Sequence, residues 1–269
     1  MTTTGFLYHW RVFWASALFA PKTTLGFMRV DFVLGEIFVL SFTQMVFFAY
    51  VATLAHNPLA SVAYVAVGNA IATITYTSVW TVSFTTSSEK SLGTMEPLLV
   101  TPASRPALFA GRTLIPILLS LASVTVGLLY AIEVFHAPLA AGGVGPVAIS
   151  LVLTAVSMVG FGLLIAGVAL FLRTSIILAN LFLFIGLLLS GVNFPVSQLP
   201  TPIAVIGYFF PLTWGVASVR AAMAGASGGT LLPLWGYLGL EGVVSFALAI
   251  GLWSVFERRA LQTGAIVRF

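Results

Sequence analysis

Six long apolar segments divide this chain, and they constrain its fold more than any other feature of the sequence. They run over about 32–54, 61–83, 113–134, 147–172, 175–194 and 234–256. Each approaches the ~20 residues that an α-helix needs to cross the ~30 Å hydrocarbon core of a bilayer. The sequence therefore predicts an all-α polytopic membrane protein with six transmembrane helices.

The composition supports the same class. Hydrophobic residues make up 59% of the chain and charged residues only 7%, whereas a soluble domain carries roughly 25% charged residues. So few charges cannot cover a surface that faces water, and the lipid bilayer is the solvent that suits such a chain. The net charge of +4 does not indicate nucleic acid as a partner, because the basic residues are scattered singly through apolar sequence.

The placement of the basic residues predicts the topology. With six spans and both termini in the cytoplasm, only Arg220 of the 11 lysines and arginines falls on the outer side. A seventh span over 203–219 would move the basic C-terminal residues 258, 259 and 268 outward, against the positive-inside rule. We therefore expect residues 195–230 to form a re-entrant or interfacial helical hairpin on the outer face.

The N-terminal residues 1–30 predict an amphipathic interfacial helix, or elbow helix. Six apolar side chains recur at helical spacing and would share one face of this helix: Phe6, Leu7, Trp10, Phe13, Trp14 and Ala17. Aromatic residues are typical of helices that lie at the level of the lipid headgroups. A frayed polar terminus is the alternative interpretation, and the two tryptophans favour the helix.

The motifs of soluble enzymes are missing from the sequence. No G-x-x-x-x-G-K-[ST] loop is present, so the chain does not bind ATP by that route. The three histidines are far apart and there is no cysteine, which leaves no candidate metal site and no thiol nucleophile. A G-x-S-G tetrapeptide at 225–228 has no histidine base on a neighbouring span, and we interpret it as a flexible loop. The sequence therefore predicts no enzyme activity on this chain.

The polar loop 84–112 contains a short amphipathic helix. Thr94 is a suitable N-cap, and Pro97 falls in the first turn, where a missing N–H costs little. Met95, Leu98 and Leu99 then form one apolar face on the cytoplasmic side. Such a face either lies on the membrane or docks into a groove of a partner, and the pattern alone does not choose between them.

Two groups of residues resemble a known family. Residues 89–112, with GTMEPLL at 93–99 and Thr101-Pro102, resemble the cytoplasmic coupling segment of ABC-2 type exporter permeases. SGVNFP at 190–195, Leu199-Pro200, PLTW at 211–214 and Arg220 resemble the outer end of the fifth span and the hairpin that follows it in that family. The order of elements agrees with the family over essentially the whole chain.

The resemblance implies a division of labour between chains. Residues 31–269 would form an ABC-2 type transmembrane domain, half of a homodimeric or heterodimeric permease in the bacterial cytoplasmic membrane. Two copies of a separate ABC ATPase would bind ATP and Mg, and this chain would carry no cofactor. The ATPase would contact the coupling segment 88–100 at Glu89, Gly93, Thr94, Met95, Glu96, Leu98 and Leu99. The outer hairpin would be marked by Pro195, Pro200, Pro211 and Arg220.

A translocation path between the two permease halves is implied in the same way. Its candidate lining residues are Phe38, Phe42, Phe182, Asn193 and Phe194, although packing or lipid contact is the commoner role for phenylalanine in a span. Glu241, inside the last span, either contacts a cationic substrate or Arg220, or is a water-accessible group near the outer end.

The nearly charge-free interior favours an exporter of amphipathic, lipidic or drug-like substrates. A secondary transporter or channel that works alone is the alternative function. An intramembrane enzyme ranks third, because no catalytic set is present.

Overall fold

A computed structural model describes residues 3–27, 30–91, 105–169 and 175–263 of the protein. These ranges contain helices, turns and no strand. The helices are α1 (Thr3–Phe27), α2 (Val30–Leu34), a π-helix (Gly35–Leu40), α3 (Ser41–Ala55), α4 (Val62–Ser91), α5 (Arg105–Arg112), α6 (Leu114–Glu133), α7 (Val144–Ala169), α8 (Ser175–Leu189), a 3₁₀-helix (Val196–Gln198), α9 (Thr201–Gly207), α10 (Pro211–Met223) and α11 (Gly228–Thr263).

Five helical stretches are long and apolar enough to cross a membrane. They are Val30–Leu54, Val62–Val82, Leu114–Glu133, Val144–Val168 and Gly228–Phe256. α8 is apolar as well, but it has 15 residues, fewer than the ~20 that a full crossing takes. The prediction of an all-helical, multi-pass membrane protein is confirmed, with five candidate spans or six if the bent pair described next counts as one.

The segment predicted as an outer hairpin contains two helices that meet at a sharp bend. The axes of α9 and α10 differ by 87° across a break of three residues, 208–210. Pro200 precedes α9, and Pro211 is the first residue of α10, where a proline is compatible with the helix. Residues 203–219 therefore do not form one straight span, and the re-entrant arrangement stays a prediction.

α4 is the central helix of the bundle and packs against α3, α6, α7 and α8. Its buried face consists largely of small and hydroxyl-bearing residues, which allow other backbones to approach closely. Gly127 of α6 shows this, because a Cβ atom there would lie 3.1 Å from the Cα of Ala70. The hydroxyls of Thr73 and Thr77 donate to the carbonyls of Ala70 and Thr73 in their own helix, at 2.6 and 3.0 Å. These two hydroxyls are thereby satisfied inside an apolar protein.

The N-terminal helix α1 lies against α5. The Ser16 hydroxyl donates a hydrogen bond of 2.7 Å to the Leu108 carbonyl. Ala17 is buried, whereas Trp10 and Trp14 are exposed. The predicted apolar face therefore has two parts, one that packs on α5 and one that leaves its tryptophans accessible.

The predicted coupling residues are only partly covered by the described ranges. Glu89 belongs to the last turns of α4. Residues 93–99, which include the other six predicted contacts, lie outside the described residues.

Candidate functional site

Arg220, near the end of α10, joins three parts of the chain. Its Nη1 donates to the Gly191 carbonyl at 2.7 Å, and its Nη2 donates to the carbonyls of Val192 and Tyr64, both at 2.9 Å. The guanidinium carbon also lies 3.4 Å from the centre of the Tyr64 ring, a cation–π contact. We call Arg220, Tyr64, Gly191 and Val192 the arginine clamp. It connects α10, the loop after α8 and the start of α4.

Two glycines allow the arginine clamp to close. Gly191 has a φ of +74°, a conformation that glycine adopts without steric cost, and its carbonyl also accepts a 3.1 Å hydrogen bond from the Tyr64 hydroxyl. Gly68, one turn after Tyr64, lets the loop approach α4. A Cβ atom at Gly68 would lie only 2.0 Å from the Val192 carbonyl oxygen and 2.6 Å from Arg220 Nη2.

A chain of three amide side chains continues from the arginine clamp into the bundle. Asn69 Nδ2 donates to Asn193 Oδ1 at 2.8 Å, and Gln44 Nε2 donates to Asn69 Oδ1 at 3.1 Å. Asn69 is fully buried, and its Nδ2 also donates to the Val65 carbonyl. This amide chain (Gln44, Asn69 and Asn193) links α3, α4 and the loop after α8. It places hydrogen-bonding groups inside the bundle without adding a charge.

Glu241 and Arg220 have separate partners. Glu241 Oε1 accepts a hydrogen bond of 3.1 Å from the indole Nε1 of Trp214, and the Trp214 ring stacks on Tyr237 with centroids 4.6 Å apart. Arg220 uses backbone carbonyls instead. The interpretation of Glu241 as a partner of Arg220 is therefore wrong, and Trp214 of α10 connects α11 to the bent pair.

The predicted path residues have different neighbours. Phe42 meets Tyr130 of α6 edge-on, with ring centroids 5.2 Å apart. The ring centroid of Phe182 lies 6.0 Å from that of Phe161 in α7 and 6.5 Å from that of Phe210. Both contacts lie within one chain. Phe38 is exposed on the first-span helix, and Phe194 is half-buried. Asn193 is the predicted path residue that the structure places in the amide chain.

Sequence reasoning missed Tyr64, Gln44 and Asn69. An amide inside an apolar segment is a signal in itself, since it needs a partner in the membrane. Its partner cannot be found from spacing, because Asn69 and Asn193 are 124 positions apart. The sequence predicted that Arg220 belongs to the outer hairpin, but it did not predict the contacts that Arg220 makes with α4 and with the loop after α8.

We expect Asn193→Leu to lower the free energy of unfolding by about 1 kcal/mol, as is typical for a hydrogen bond between spans. Asn69 keeps its bonds to Val65 and Gln44 in this variant, which limits the loss. Thermal unfolding in nanodiscs measures the change. Gln198→Ala, which removes two exposed hydrogen bonds with Asn57, is the control and is expected to change little. Equal losses in the two variants would contradict a stabilising role for the amide chain.

Comparisons with known proteins identify the family of this chain. Residues 39–250, most of the chain, match the family described as ABC-2 family transporter protein. Over 158 residues the chain is 28% identical to a protein named Probable multidrug ABC transporter permease YbhR, from Escherichia coli strain K12 and equally from Escherichia coli O157:H7. That match covers 58% of this chain and 43% of the relative, so it spans less than half of the relative's length. The chain belongs to the ABC-2 family of transporter permeases, which are membrane transport subunits and not enzymes.

Proposed function

We propose that this chain is the permease of an ATP-driven exporter that moves an amphipathic, lipidic or drug-like substrate out of the cytoplasm or the inner leaflet. ATP would be hydrolysed on a separate ABC ATPase. Membership of the ABC-2 family supports the class, and the name of the Escherichia coli relative, a multidrug permease, supports the substrate type.

The contact between α1 and α5 is the observation that carries this proposal. α5 follows the predicted coupling segment 88–100, and α4 leads into it from the bundle core. Ser16 bonds to Leu108, and a Cβ atom at Gly111 would lie 2.4 Å from the Phe13 carbonyl oxygen. A push on segment 88–100 would therefore reach α4, α5 and α1 together, as a docked motor requires.

The proposed assembly contains two permease chains, identical or different, and two ATPase subunits in a bacterial cytoplasmic membrane. Both termini would lie in the cytoplasm, and α9 and α10 would enter the membrane from the outer side and return. The distribution of basic residues supports this orientation. The 87° bend between α9 and α10 supports a segment that turns back.

The amide chain supplies hydrogen-bonding groups along the proposed path. Asn193 and Gln44 are half-buried, so they would offer a substrate polar contacts in addition to the apolar contacts of Phe38, Phe42 and Phe194. An amphipathic substrate needs both kinds of contact.

We expect a nucleotide-binding subunit to co-purify with this chain in fixed stoichiometry when both are expressed in a bacterial host. Glu96→Arg, or deletion of residues 93–100, is expected to abolish co-purification and the ATPase activity that depends on the permease, because each alters the proposed docking surface. Affinity purification followed by an ATPase assay measures both effects.

Glu133→Arg is the matched control, since Glu133 is exposed at the far end of α6. It should leave co-purification intact. Substrate movement down an ion gradient by the purified chain alone in liposomes would support the stand-alone transporter and overturn the exporter proposal.

A further inference from the structure

A groove of about 540 Å³ opens on the side of the first-span helix Val30–Leu54. Three aromatic side chains, Phe32, Tyr76 and Trp80, contribute to its walls, together with aliphatic side chains such as Val39. Glu36 supplies the only charge among the described residues that line it. A large apolar groove with a single carboxylate has the composition of a site for an apolar ligand that carries one positive charge.

The local backbone explains why the groove is open. The helix switches from α to π geometry over Gly35–Leu40, and such π segments are frequent at functional sites. Gly35 lacks a side chain, and a Cβ atom placed there would meet nothing within 4 Å. The Ser41 hydroxyl donates a hydrogen bond of 3.3 Å to the Glu36 carbonyl oxygen, which stabilises this turn.

The Glu36 carboxylate has no countercharge in the described part of the chain. Its polar neighbour is the Thr77 hydroxyl, which is neutral and cannot balance a negative charge. A carboxylate within an apolar span is costly unless it is paired. A bound cation would balance this carboxylate, and the rings of Tyr76 and Trp80, which line the groove, would add cation–π attraction.

The depth of Glu36 defines where a ligand would reach it. Glu36 follows Val30 by six residues, so it lies roughly 9 Å along the helix from its start. Under the predicted topology that start is cytoplasmic, which places the groove in the inner leaflet, whose negative surface potential attracts cations.

We infer that the groove around Glu36 binds hydrophobic monovalent cations. The role of this groove as the place where the permease takes up its substrate rests on the exporter function proposed above. The binding of cations to the groove rests only on its geometry and its charge. Glu36 contacts the cationic centre, and the aromatic walls contact the apolar substituents.

Two ions of the same shape and opposite charge test this inference. Tetraphenylphosphonium and tetraphenylborate are titrated against the purified protein, with any subunit that co-purifies, in phosphatidylcholine nanodiscs, and binding to empty nanodiscs is subtracted. The wild type is expected to bind the phosphonium saturably and to prefer it over the borate. Glu36→Gln is expected to weaken phosphonium binding by about ten-fold or more, as the loss of a partly desolvated charge contact implies.

Two further variants make the test specific. Gly35→Leu fills the groove but keeps the carboxylate, and we expect it to weaken phosphonium binding as well. Glu133→Gln removes an exposed carboxylate elsewhere, and we expect wild-type affinity in it. Size-exclusion profiles like that of the wild type show that each variant is folded.

Unchanged phosphonium affinity in Glu36→Gln, or equal binding of the borate by the wild type, would overturn the inference. A disulfide that joins two copies of the Val39→Cys variant, in a protein that does not bind the phosphonium, would also overturn it, because a second copy of the chain would then fill the groove. The chain has no native cysteine, so the introduced residue is the only one that can form this disulfide. None of these measurements needs ATP. Failure of co-purification with normal phosphonium binding would defeat the exporter proposal alone.

Discussion

Arg220→Met is expected to lower the free energy of unfolding by about 4 kcal/mol, because three buried or half-buried carbonyls lose a charged hydrogen-bond donor at once. The carbonyls belong to Gly191, Val192 and Tyr64. The Nε atom of Arg220 is buried within the protein, so water does not readily take the place of the guanidinium. The cation–π contact with Tyr64 is lost as well.

Thermal unfolding in nanodiscs measures this loss. Arg220→Lys should fall between wild type and Arg220→Met, since an ammonium group keeps the charge but loses the planar fork and the stacking. Arg11→Met, on the exposed surface of α1, is the control and should unfold at nearly the wild-type temperature. A loss below about 1 kcal/mol for Arg220→Met would show that the arginine clamp does not stabilise the fold.

Gly68→Ala is expected to lower the free energy of unfolding by about 3 kcal/mol through overlap with a backbone group. The added methyl carbon would lie 2.0 Å from the Val192 carbonyl oxygen and 2.6 Å from Arg220 Nη2. The nearer atom is backbone, so no side-chain rotation relieves the overlap. α4 and the loop after α8 must separate, which also lengthens the hydrogen bonds of the arginine clamp.

Gly236→Ala is the matched control for this variant. Gly236 lies in α11, and a Cβ atom there would meet nothing within 4 Å. We expect it to be neutral or to stabilise the helix by up to about 1 kcal/mol, because alanine is the better helix former. Equal unfolding temperatures for the two alanine variants would show that α4 tolerates extra volume at Gly68.

Hydropathy was sufficient to predict most of the membrane-crossing helices and their order. It could not predict where Arg220 points, because the positive-inside rule assigns a residue to a side of the membrane and not to a set of contacts. Asn69 illustrates the same limit, since its two side-chain partners are 25 and 124 positions away. Tertiary contacts of this kind depend on how the helices pack.

The N-terminal helix shows what periodicity alone leaves open. Spacing predicted one apolar face for α1, with Trp10, Trp14 and Ala17 on it. In the structure the small residues Ala17 and Ala20 are buried, while the tryptophans are exposed. A close approach of two helices selects small side chains, so residue size would have separated the two parts of the face better than hydropathy.

The π-helix in the first span has a geometric consequence for the residues on either side of it. Five buried side chains recur at every fourth position, and they are Val33, Ile37, Ser41, Met45 and Ala49. In an α-helix of 3.6 residues per turn, such a repeat drifts around the axis by about 40° at each step. A π turn contains more residues than an α turn and therefore rotates the stripe back. The wider turn, confined to Gly35–Leu40, offsets part of this drift between Val33 and Ser41 and keeps the five side chains closer to one side of the helix.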